Sequence, residues 1–253
     1  MKDFSDKTVL ITGASGGIGC ATSIAFAAAG ATVALHYGQR SEAAAQVKQE
    51  LAGEGHILVQ ASLTDPIAIE QMVNETIAKL GKIDILVNNA GVYQLHPLNQ
   101  TSYTDWQQVW QETIGVNLIG AANVAYCVAR HLIDRQQGRI INVSSRGAFR
   151  GEPIANAYGA SKAGLNALSQ SLAQHLAPYG IGVMAVAPGF VETEMARSVL
   201  ESPAGEAIRQ QSPFGRVATP EEVAHTILFL AAEGSLFLSG AIVDVNGASY
   251  LRS

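Results

Sequence analysis

The stretch Thr12-Gly13-Ala14-Ser15-Gly16-Gly17-Ile18-Gly19 decides the fold. An apolar, β-branched run at residues 8–12 leads into it, and an alanine-rich amphipathic run at residues 18–29 follows it. A strand, a glycine-rich turn and a helix in this order place free backbone N–H groups at a helix N-terminus, where an anion binds favourably. The pattern therefore predicts an α/β fold whose first turn holds a phosphate group.

The glycines of this turn have separable roles. Gly13 permits the tight turn, Gly17 lets a diphosphate approach the backbone, and Gly19 lets the helix pack on the strand. The residues predicted to contact a dinucleotide here are Gly13, Ser15, Gly16, Gly17, Ile18 and Gly19.

Two other motifs compete for the same turn. The phosphate loop of nucleotide hydrolases requires a lysine after its last glycine, and this sequence has none there. The turn also matches the G-x-S-x-G motif of serine hydrolases, with Ser15 as nucleophile and His175 or His225 as base. The hydrolase alternative leaves the motifs further along the chain unexplained.

The rest of the chain alternates short apolar runs with amphipathic ones. We predict strands at residues 8–12, 32–36, 57–60, 84–88, 139–143, 182–187 and 241–245. We predict helices at residues 18–29, 42–53, 67–80, 105–134, 156–177 and 221–232. Right-handed crossovers between such strands give a single-domain Rossmann-type, doubly wound parallel β-sheet with helices on both faces, over residues 1–253.

Composition excludes several classes of protein. Of the 253 residues, 48% are hydrophobic and 15% are charged, which predicts a folded chain with a substantial core. A net charge of −5 without a basic run disfavours nucleic-acid binding. The N-terminal residues contain no signal segment, and no apolar run approaches the roughly 18 residues of a membrane span.

Cysteines and histidines add two expectations. Cys20 and Cys127 lie in apolar helical patterns and are expected to be reduced core thiols, which favours a cytoplasmic setting. The six histidines show no pair at metal-ligand spacing, so no metal site is expected.

The end of the second predicted strand bears on cofactor choice. A carboxylate there would accept from the ribose 2′-hydroxyl of NAD, but the sequence reads His36-Tyr37-Gly38-Gln39-Arg40-Ser41. Arg40, helped by Ser41 and the neighbouring Tyr37, is suited to bind a 2′-phosphate through charge-assisted hydrogen bonds. We therefore expect NADP(H), with NAD(H) as the alternative; without a ligand, Arg40 would be a solvated residue before a helix.

A second group of polar residues follows the later strands. Tyr158 and Lys162 are four residues apart in a helical stretch, so they lie on one face. An ammonium beside a phenol is expected to lower the phenol's pKa from about 10, which lets it exchange a proton with an alkoxide. Ser145, after the fifth strand, is placed to hold a substrate oxygen. Asn117 is placed to hold a water that relays protons to Lys162.

Two further segments complete the predicted cleft. The sequence Asn88-Asn89-Ala90-Gly91 closes the fourth strand; its small residues let the chain pass close to a cofactor, and its asparagines are suited to brace neighbouring strands. The irregular segment 191–217 follows the sixth strand at the carboxyl edge of the sheet, where ligands bind. We expect it to be a substrate lid, with a plain surface excursion as the alternative.

Together these stretches resemble the short-chain dehydrogenase/reductase family over essentially the whole chain, and most of all its beta-ketoacyl-ACP reductase branch. The resemblance implies a tetrad in which Tyr158 is the acid/base, Lys162 also binds the cofactor ribose, Ser145 orients the substrate, and Asn117 is the fourth member. It implies further cofactor contacts from Ser62, Leu63, Asn89, Ala90, Gly91, Pro188, Gly189, Val191 and Thr193. It also implies a homotetramer or homodimer, formed through helices 117–134 and 158–177.

The expected reaction is NADP(H)-dependent interconversion of a small carbonyl and an alcohol. The alternatives are an NAD-dependent alcohol dehydrogenase of the same family and a non-catalytic NADP(H)-binding regulator. In the branch it resembles, two basic residues dock an acidic carrier protein; here they are Gln136 and Tyr179, and Arg135 is the nearby substitute.

Substrate hints come from residues near the catalytic ones. Arg146 and Arg150 follow Ser145 and either contact an anionic substrate, are solvated in a loop, or form an ion pair with Glu152. The residues expected to line an apolar pocket are Tyr93, Leu95, His96, Met195 and Phe214.

Overall fold

The computed structural model describes residues 3–252 of the chain. Its strands form a parallel sheet in the order β3-β2-β1-β4-β5-β6-β7. The strands are β1 (Thr8–Ile11), β2 (Thr32–Tyr37), β3 (Ile57–Gln60), β4 (Ile85–Asn88), β5 (Gly138–Val143), β6 (Ile181–Pro188) and β7 (Ile242–Val245). The predicted doubly wound parallel sheet is confirmed, and its order reverses between β1 and β4, where such sheets bind ligands.

Helices connect the strands and cover both faces of the sheet. The larger ones are α1 (Gly17–Ala28), α2 (Ser41–Glu50), α3 (Pro66–Leu80), α4 (Tyr103–Ile114), α5 (Ala121–Arg135), α7 (Asn156–Leu176) and α10 (Pro220–Ala231). Three short ones, α6 (Gly147–Arg150), α8 (Glu194–Leu200) and α9 (Gly205–Arg209), lie in the loops after β5 and β6.

The alternation of side chains along the strands builds one core on each face of the sheet. Val9 and Ile11 pack with Phe26 on the face covered by α1 and α10, whereas Leu10 packs with Leu132 on the face covered by α3, α5 and α7. All five side chains are completely buried. Burial on both faces explains why the strand sequences are continuously apolar.

The predicted helix over 105–134 is one helical stretch, Tyr103–Arg135, interrupted by a π-helical segment at Gly115–Gly120. Asn117 lies within that segment, and π-helical turns often mark functional sites. By length and composition the stretch is apolar enough to cross a membrane, so the expectation that no run approaches that length was wrong. Its inner side chains, Val124, Val128 and Leu132, are fully buried against the sheet, as in core helices of globular proteins that are equally long and apolar.

Segment 191–217 contains helices α8 and α9. A backbone bridge between Val191 and Ala218 joins the two ends of the segment. Its apolar side chains form a small cluster separate from the two sheet cores, centred on Ala196, Leu200 and Val217. The segment therefore packs partly on itself, beside the carboxyl ends of the strands.

Candidate active site

A cavity of about 1570 Å³ opens along the carboxyl edge of the sheet. It brings together most of the residues predicted as site residues. Those that line it are Gly13, Ser15, Gly16, Gly17, Ile18, Arg40, Ser62, Leu63, Asn89, Ala90, Gly91, Ser145, Tyr158, Lys162, Pro188, Gly189, Val191 and Thr193. Segment 191–217 contributes one side of the cavity, through α8 and Gln211.

The glycine-rich turn is shaped by close backbone packing. Gly13 has a φ of 66°, and a Cβ added there would lie 2.8 Å from the Cα of Ala90. A Cβ on Gly19 would lie 2.2 Å from the carbonyl oxygen of Gly13. Gly19 thus serves the packing of α1 on the turn, while the turn's N–H groups remain at a helix N-terminus, where a diphosphate fits.

The end of β4 is bound to the turn by a threonine that the sequence analysis did not single out. The Oγ1 atom of Thr12 accepts hydrogen bonds from the backbone N–H of Asn89 at 2.9 Å and of Ala90 at 3.1 Å. The side chain of Asn89 donates to the carbonyls of Thr12 and Gly13, and that of Asn88 donates to the Asn142 side chain on β5. The asparagines therefore brace neighbouring strands, as predicted.

His36 is a second residue that the motif analysis left without a role. Its Nδ1 atom lies 3.1 Å from the amide nitrogen of Gly13, and its Nε2 atom lies 3.1 Å from the carbonyl oxygen of Ala61. The ring is 2% exposed, and burial lowers its pKa. The available signal was a polar histidine near the end of the apolar β2, the strand that pairs with the strand leading into the glycine-rich turn.

The predicted 2′-phosphate residues are only partly assembled. Arg40 lines the cavity beside Gly16, but its guanidinium forms a 2.6 Å ion pair with Glu194 at the start of α8. Tyr37 and Ser41 do not line the cavity. For Tyr37 the reason is the alternation of side chains along β2. His36 faces the glycine-rich turn, so the next side chain, Tyr37, faces away. Their contact with a cofactor stays a prediction.

Tyr158 and Lys162 lie on one face of α7, as their spacing predicted. The Lys162 Nζ atom is 5.7 Å from the centre of the Tyr158 ring and donates a 2.8 Å hydrogen bond to the carbonyl of Val143. The ring of Tyr93 meets Tyr158 edge to face at 4.9 Å. Ser145 lies close enough to Tyr158 to lower its pKa, and the Ser145 Oγ accepts from the backbone N–H of Gly147 at 3.0 Å.

The expected effect of Lys162 on the phenol does not dominate in this structure. Burial raises the pKa of Tyr158 to about 12, opposed by the hydrogen bond with Ser145 and assisted by the negative charge of Glu152. Burial also lowers the pKa of Lys162 to about 8, because a desolvated ammonium is unstable. Burial therefore raises the pKa of the phenol, contrary to the lowering expected from Lys162, so the phenol keeps its proton at neutral pH.

Asn117 is fully buried, and its side chain is hydrogen-bonded to the loop after β4. Its Oδ1 atom accepts from the backbone N–H of Val92 at 2.8 Å, and its Nδ2 atom donates to the Val92 carbonyl at 3.0 Å and to Ser161 at 3.1 Å. A Cβ on Gly91 would lie 3.3 Å from Oδ1 and 3.5 Å from the Nζ of Lys162. Asn117 therefore lies next to Lys162 without lining the cavity, and its water-relay role stays a prediction.

Arg146 and Arg150 line the cavity beside Ser145. Among residues 3–252, no ion pair joins either of them to Glu152, contrary to that alternative. Arg146 is buried and donates to Ser249 and to Gln211, and Arg150 also donates to Gln211. The two arginines are held by neutral acceptors.

Other side chains depart from their predicted places. Tyr93, Leu95 and Met195 line the cavity, whereas Phe214 is 74% exposed outside it. His96 does not line the cavity. Its side chain is buried, and its Nε2 atom accepts from the backbone N–H of Ala157 at the start of α7. Cys20 and Cys127 are unpaired, but each is half-buried at the edge of a core.

The hydrolase alternative finds no support in this geometry. The imidazole beside the glycine-rich turn belongs to His36, and both of its nitrogens are engaged with backbone groups. His175 and His225 are not among the residues that line the cavity with Ser15. No cluster of three or more metal-ligating side chains occurs within the described part of the chain.

Comparisons with known proteins place this geometry among oxidoreductases. A family model described as short chain dehydrogenase matches residues 7–204. A 3-oxoacyl-(acyl-carrier-protein) reductase from Synechocystis sp. is 37% identical over 250 residues, which cover 98% of each chain. An acetoacetyl-CoA reductase from Rhizobium meliloti is 37% identical over 244 residues, covering 96% of this chain and 98% of the relative.

Solved structures give the same picture. A short-chain dehydrogenase/reductase of the glucose/ribitol dehydrogenase type from Brucella melitensis superposes over 100% of both chains, with a TM-score of 0.90 and 30% identity. A dehydrogenase/reductase from Sinorhizobium meliloti covers 98% of this chain and 97% of its own, with a TM-score of 0.88 and 33% identity.

Proposed function

Because the chain belongs to the short-chain dehydrogenase family and is an oxidoreductase that acts on CH–OH or C=O groups, we propose that it reduces a small carbonyl compound with NADPH. The family predicted from the motifs is thereby confirmed. The observation that carries the proposal is that Ser145, Tyr158 and Lys162 share one cavity with the glycine-rich turn. A non-catalytic regulator would have no need of these three polar side chains beside a dinucleotide site.

The proposed chemistry assigns one task to each side chain. The bound cofactor supplies the hydride that adds to the carbonyl carbon. Tyr158 donates its phenolic proton to the oxygen that becomes negative, and Ser145 hydrogen-bonds to the same oxygen. Lys162 holds the cofactor ribose and stabilises the phenolate left after proton transfer. A phenol with a pKa of about 12 is protonated at neutral pH, which is the form that proton donation to a carbonyl oxygen requires.

Small carbonyl compounds are favoured over carrier-bound ones. Arg135, the remaining basic residue near Gln136 and Tyr179, forms a 2.8 Å ion pair with Asp84 and also donates to the carbonyl of Ile83. The Arg135 guanidinium is therefore already bound to groups of its own chain, which disfavours its docking an acidic carrier protein. We further propose a cytoplasmic homotetramer or homodimer, with segment 191–217 as its substrate lid.

The proposal is tested by cofactor binding followed by turnover. Purified protein is titrated with NADPH and with NADH while nicotinamide fluorescence is followed, and NADPH oxidation is then screened over ketones, aldehydes and acetoacetyl-CoA. We expect tighter binding of NADPH and oxidation with at least one carbonyl. Tighter binding of NADH would favour the NAD-dependent alternative, and binding without turnover of any carbonyl or alcohol would favour the regulator.

A further inference from the structure

Two guanidinium groups converge on one neutral oxygen in the part of the cavity that Ser145 lines. The Nη2 atom of Arg146 lies 2.5 Å from the Oε1 atom of Gln211, and the Nη1 atom of Arg150 lies 3.4 Å from the same oxygen. Arg146 immediately precedes the short helix α6 and Arg150 is its last residue, and Gln211 belongs to segment 191–217. An amide oxygen carries only a partial negative charge, so two full positive charges meet there without a full negative one.

The other contacts of Arg146 are also neutral. Its Nη1 atom donates to the Ser249 hydroxyl at 2.5 Å, and its guanidinium lies 5.2 Å from the centre of the Phe190 ring. The residue is 3% exposed. Buried arginines are ordinarily paired with an acid, yet over residues 3–252 no carboxylate lies within 4.0 Å of Arg146 or Arg150.

Burial, and after it the repulsion between the two arginines, disfavours the charged form of Arg146. Burial and the neighbouring Arg150 lower the pKa of Arg146 to about 10. Glu152 is the acid whose charge reaches both arginines, and burial raises its own pKa. Within the described residues, the cluster therefore holds two guanidinium cations and one acid, Glu152, whose raised pKa favours its neutral form. An added anion would balance the positive charge.

We propose that Arg146 and Arg150 bind an anionic group, a carboxylate or a phosphate, carried by the carbonyl substrate itself. The inference rests on the proposed reduction and names its substrate class. Because Arg146 directly follows Ser145 and both line the same cavity, the anion and the reacting carbonyl belong to one small molecule. Gln211 Oε1 occupies the position of an anionic oxygen and is displaced when the substrate enters.

The test compares matched substrates in the intact enzyme. Reduction of 4-oxopentanoate is compared with that of its methyl ester, and reduction of dihydroxyacetone phosphate with that of dihydroxyacetone. We expect kcat/KM to favour the anionic member of one pair by about 10-fold or more, as charge-assisted hydrogen bonds predict. The pair that shows the preference identifies the anion as carboxylate or phosphate.

A substitution at Gln211 gives the decisive arm. Gln211→Glu puts a carboxylate where the anion is proposed to bind, so it should raise the melting temperature and reduce the anionic-over-neutral ratio by about 10-fold. Gln211→Met, the matched control, removes the amide without adding charge and should leave that ratio at or above the wild-type value. Stabilisation by 4-oxopentanoate or inorganic phosphate is measured in the same melts.

The outcomes separate this inference from the proposed function. Neutral carbonyls reduced without an anionic preference, and a ratio unmoved by Gln211→Glu, would overturn the inference and leave the function intact. If no carbonyl is reduced, the proposed function fails, and the melts alone decide the subsite. Stabilisation by either anion that is lost in Gln211→Glu supports it, and equal behaviour of both proteins overturns it.

Discussion

The Nδ1 atom of His36 accepts a 3.1 Å hydrogen bond from the backbone N–H of Gly13, which makes the base of the glycine-rich turn depend on a neutral imidazole. The proton of that imidazole resides on Nε2, because Nε2 faces the carbonyl oxygen of Ala61. One buried ring thus joins the ends of β2 and β3 to the turn on which the cofactor is proposed to bind. Protonation of Nδ1 would set two donors against each other.

Cofactor affinity should therefore fall in acid through His36. Burial lowers the pKa of His36 below the ordinary value of about 6.5, with only the Ala61 carbonyl opposing it; no charged side chain of the described residues contributes. The stabilisation from the Gly13–His36 hydrogen bond is complete above pH 6.5 and is lost as the pH falls through the lowered pKa of His36. We expect NADP⁺ affinity, measured by calorimetry between pH 7.5 and pH 5, to fall several-fold more in wild type than in His36→Gln.

His56 provides a matched control for this comparison. Its buried ring also accepts from a backbone N–H, that of Val33, and contacts the carbonyl of Ala52, but it does not line the cavity. His56→Gln should lower thermal stability and leave the pH dependence of NADP⁺ binding as in wild type. The 2′-phosphate titrates equally in all three proteins, so an identical acid loss in His36→Gln and wild type would contradict the assignment.

Replacement of the proposed acid should separate binding from turnover. Tyr158→Phe keeps the ring that packs edge to face on Tyr93 but removes the proton donor. We expect kcat to fall by roughly 10²- to 10⁴-fold while NADPH affinity changes by less than about twofold. Tyr103→Phe, at an exposed position at the start of α4 and outside the cavity, should change neither quantity. Retained turnover in Tyr158→Phe would show that another group supplies the proton.

The fold and the pairing of Tyr158 with Lys162 were predictable because they depend on continuous apolar runs and on the helical repeat of about four residues. The sequence places continuously apolar strands, a glycine-rich turn and a helical Tyr-x-x-x-Lys in order, and right-handed crossovers then bring them to one edge. Segment 191–217 was placed at that edge for the same reason. These inferences need only local patterns and chain connectivity.

Other features depend on distances between segments far apart in the sequence. The ion pair of Arg40 with Glu194 joins positions 154 residues apart, and Gln211 meets Arg150 across 61 residues. The pKa of Tyr158 depends on how much water reaches it, which no spacing reveals. The π-helical segment around Asn117 likewise has no sequence pattern that separates it from the α-helices on either side.

Lys162 should make the folded protein less stable near neutral pH. Burial lowers its pKa to about 8 from an ordinary value of about 10.4, so below pH 8 the full cost of burying the ammonium is present. Between pH 8 and 10.4 the unfolded chain binds more protons, and stability contributed by this site rises with pH. Lys162→Met should raise the free energy of unfolding at pH 7 on the order of 1 kcal/mol, even after loss of the Val143 hydrogen bond.

Urea denaturation at pH 7 and at pH 10 measures this effect, and the advantage of Lys162→Met should shrink at the higher pH. Lys79→Met is the control, because Lys79 is exposed and paired with Glu75 on the surface of α3. It should change stability little at either pH. A Lys162→Met variant that is less stable than wild type at pH 7 would mean that the Val143 contact outweighs desolvation.

The packing of α1 on the turn predicts a steric response at Gly19. A Cβ there would lie 2.2 Å from the Gly13 carbonyl oxygen and 2.6 Å from the Asn89 side chain, so Gly19→Ala must displace backbone. We expect a loss of several kcal/mol in stability and at least about 10-fold weaker NADPH binding. At Gly234 an added Cβ meets nothing within 4 Å, and Gly234→Ala should melt and bind as wild type does. Normal cofactor affinity in Gly19→Ala would argue against the predicted diphosphate site.

The ion pair between Arg40 and Glu194 makes Glu194 a competitor of the proposed 2′-phosphate for the Arg40 guanidinium. Glu194 Oε2 lies 2.6 Å from Arg40 Nη1, and both side chains are more than half exposed, so a 2′-phosphate can replace the carboxylate. Glu194 also begins α8, which places the competitor on the proposed lid.

Arg40→Leu should therefore weaken NADPH binding by about 10-fold and leave NADH binding within about twofold, because only NADPH carries the phosphate. Glu194→Gln should act in the opposite direction and tighten NADPH binding by a few-fold, since the phosphate no longer displaces a charged partner.

Both variants are measured by nicotinamide fluorescence at 50 and 300 mM salt, where the NADPH advantage of wild type should shrink with added salt. Lys48→Met, which removes a positive charge from α2 outside the cavity, controls for net charge. An Arg40→Leu protein that loses affinity equally for both cofactors would place Arg40 on the diphosphate rather than on the 2′-phosphate, since the diphosphate is common to the two molecules.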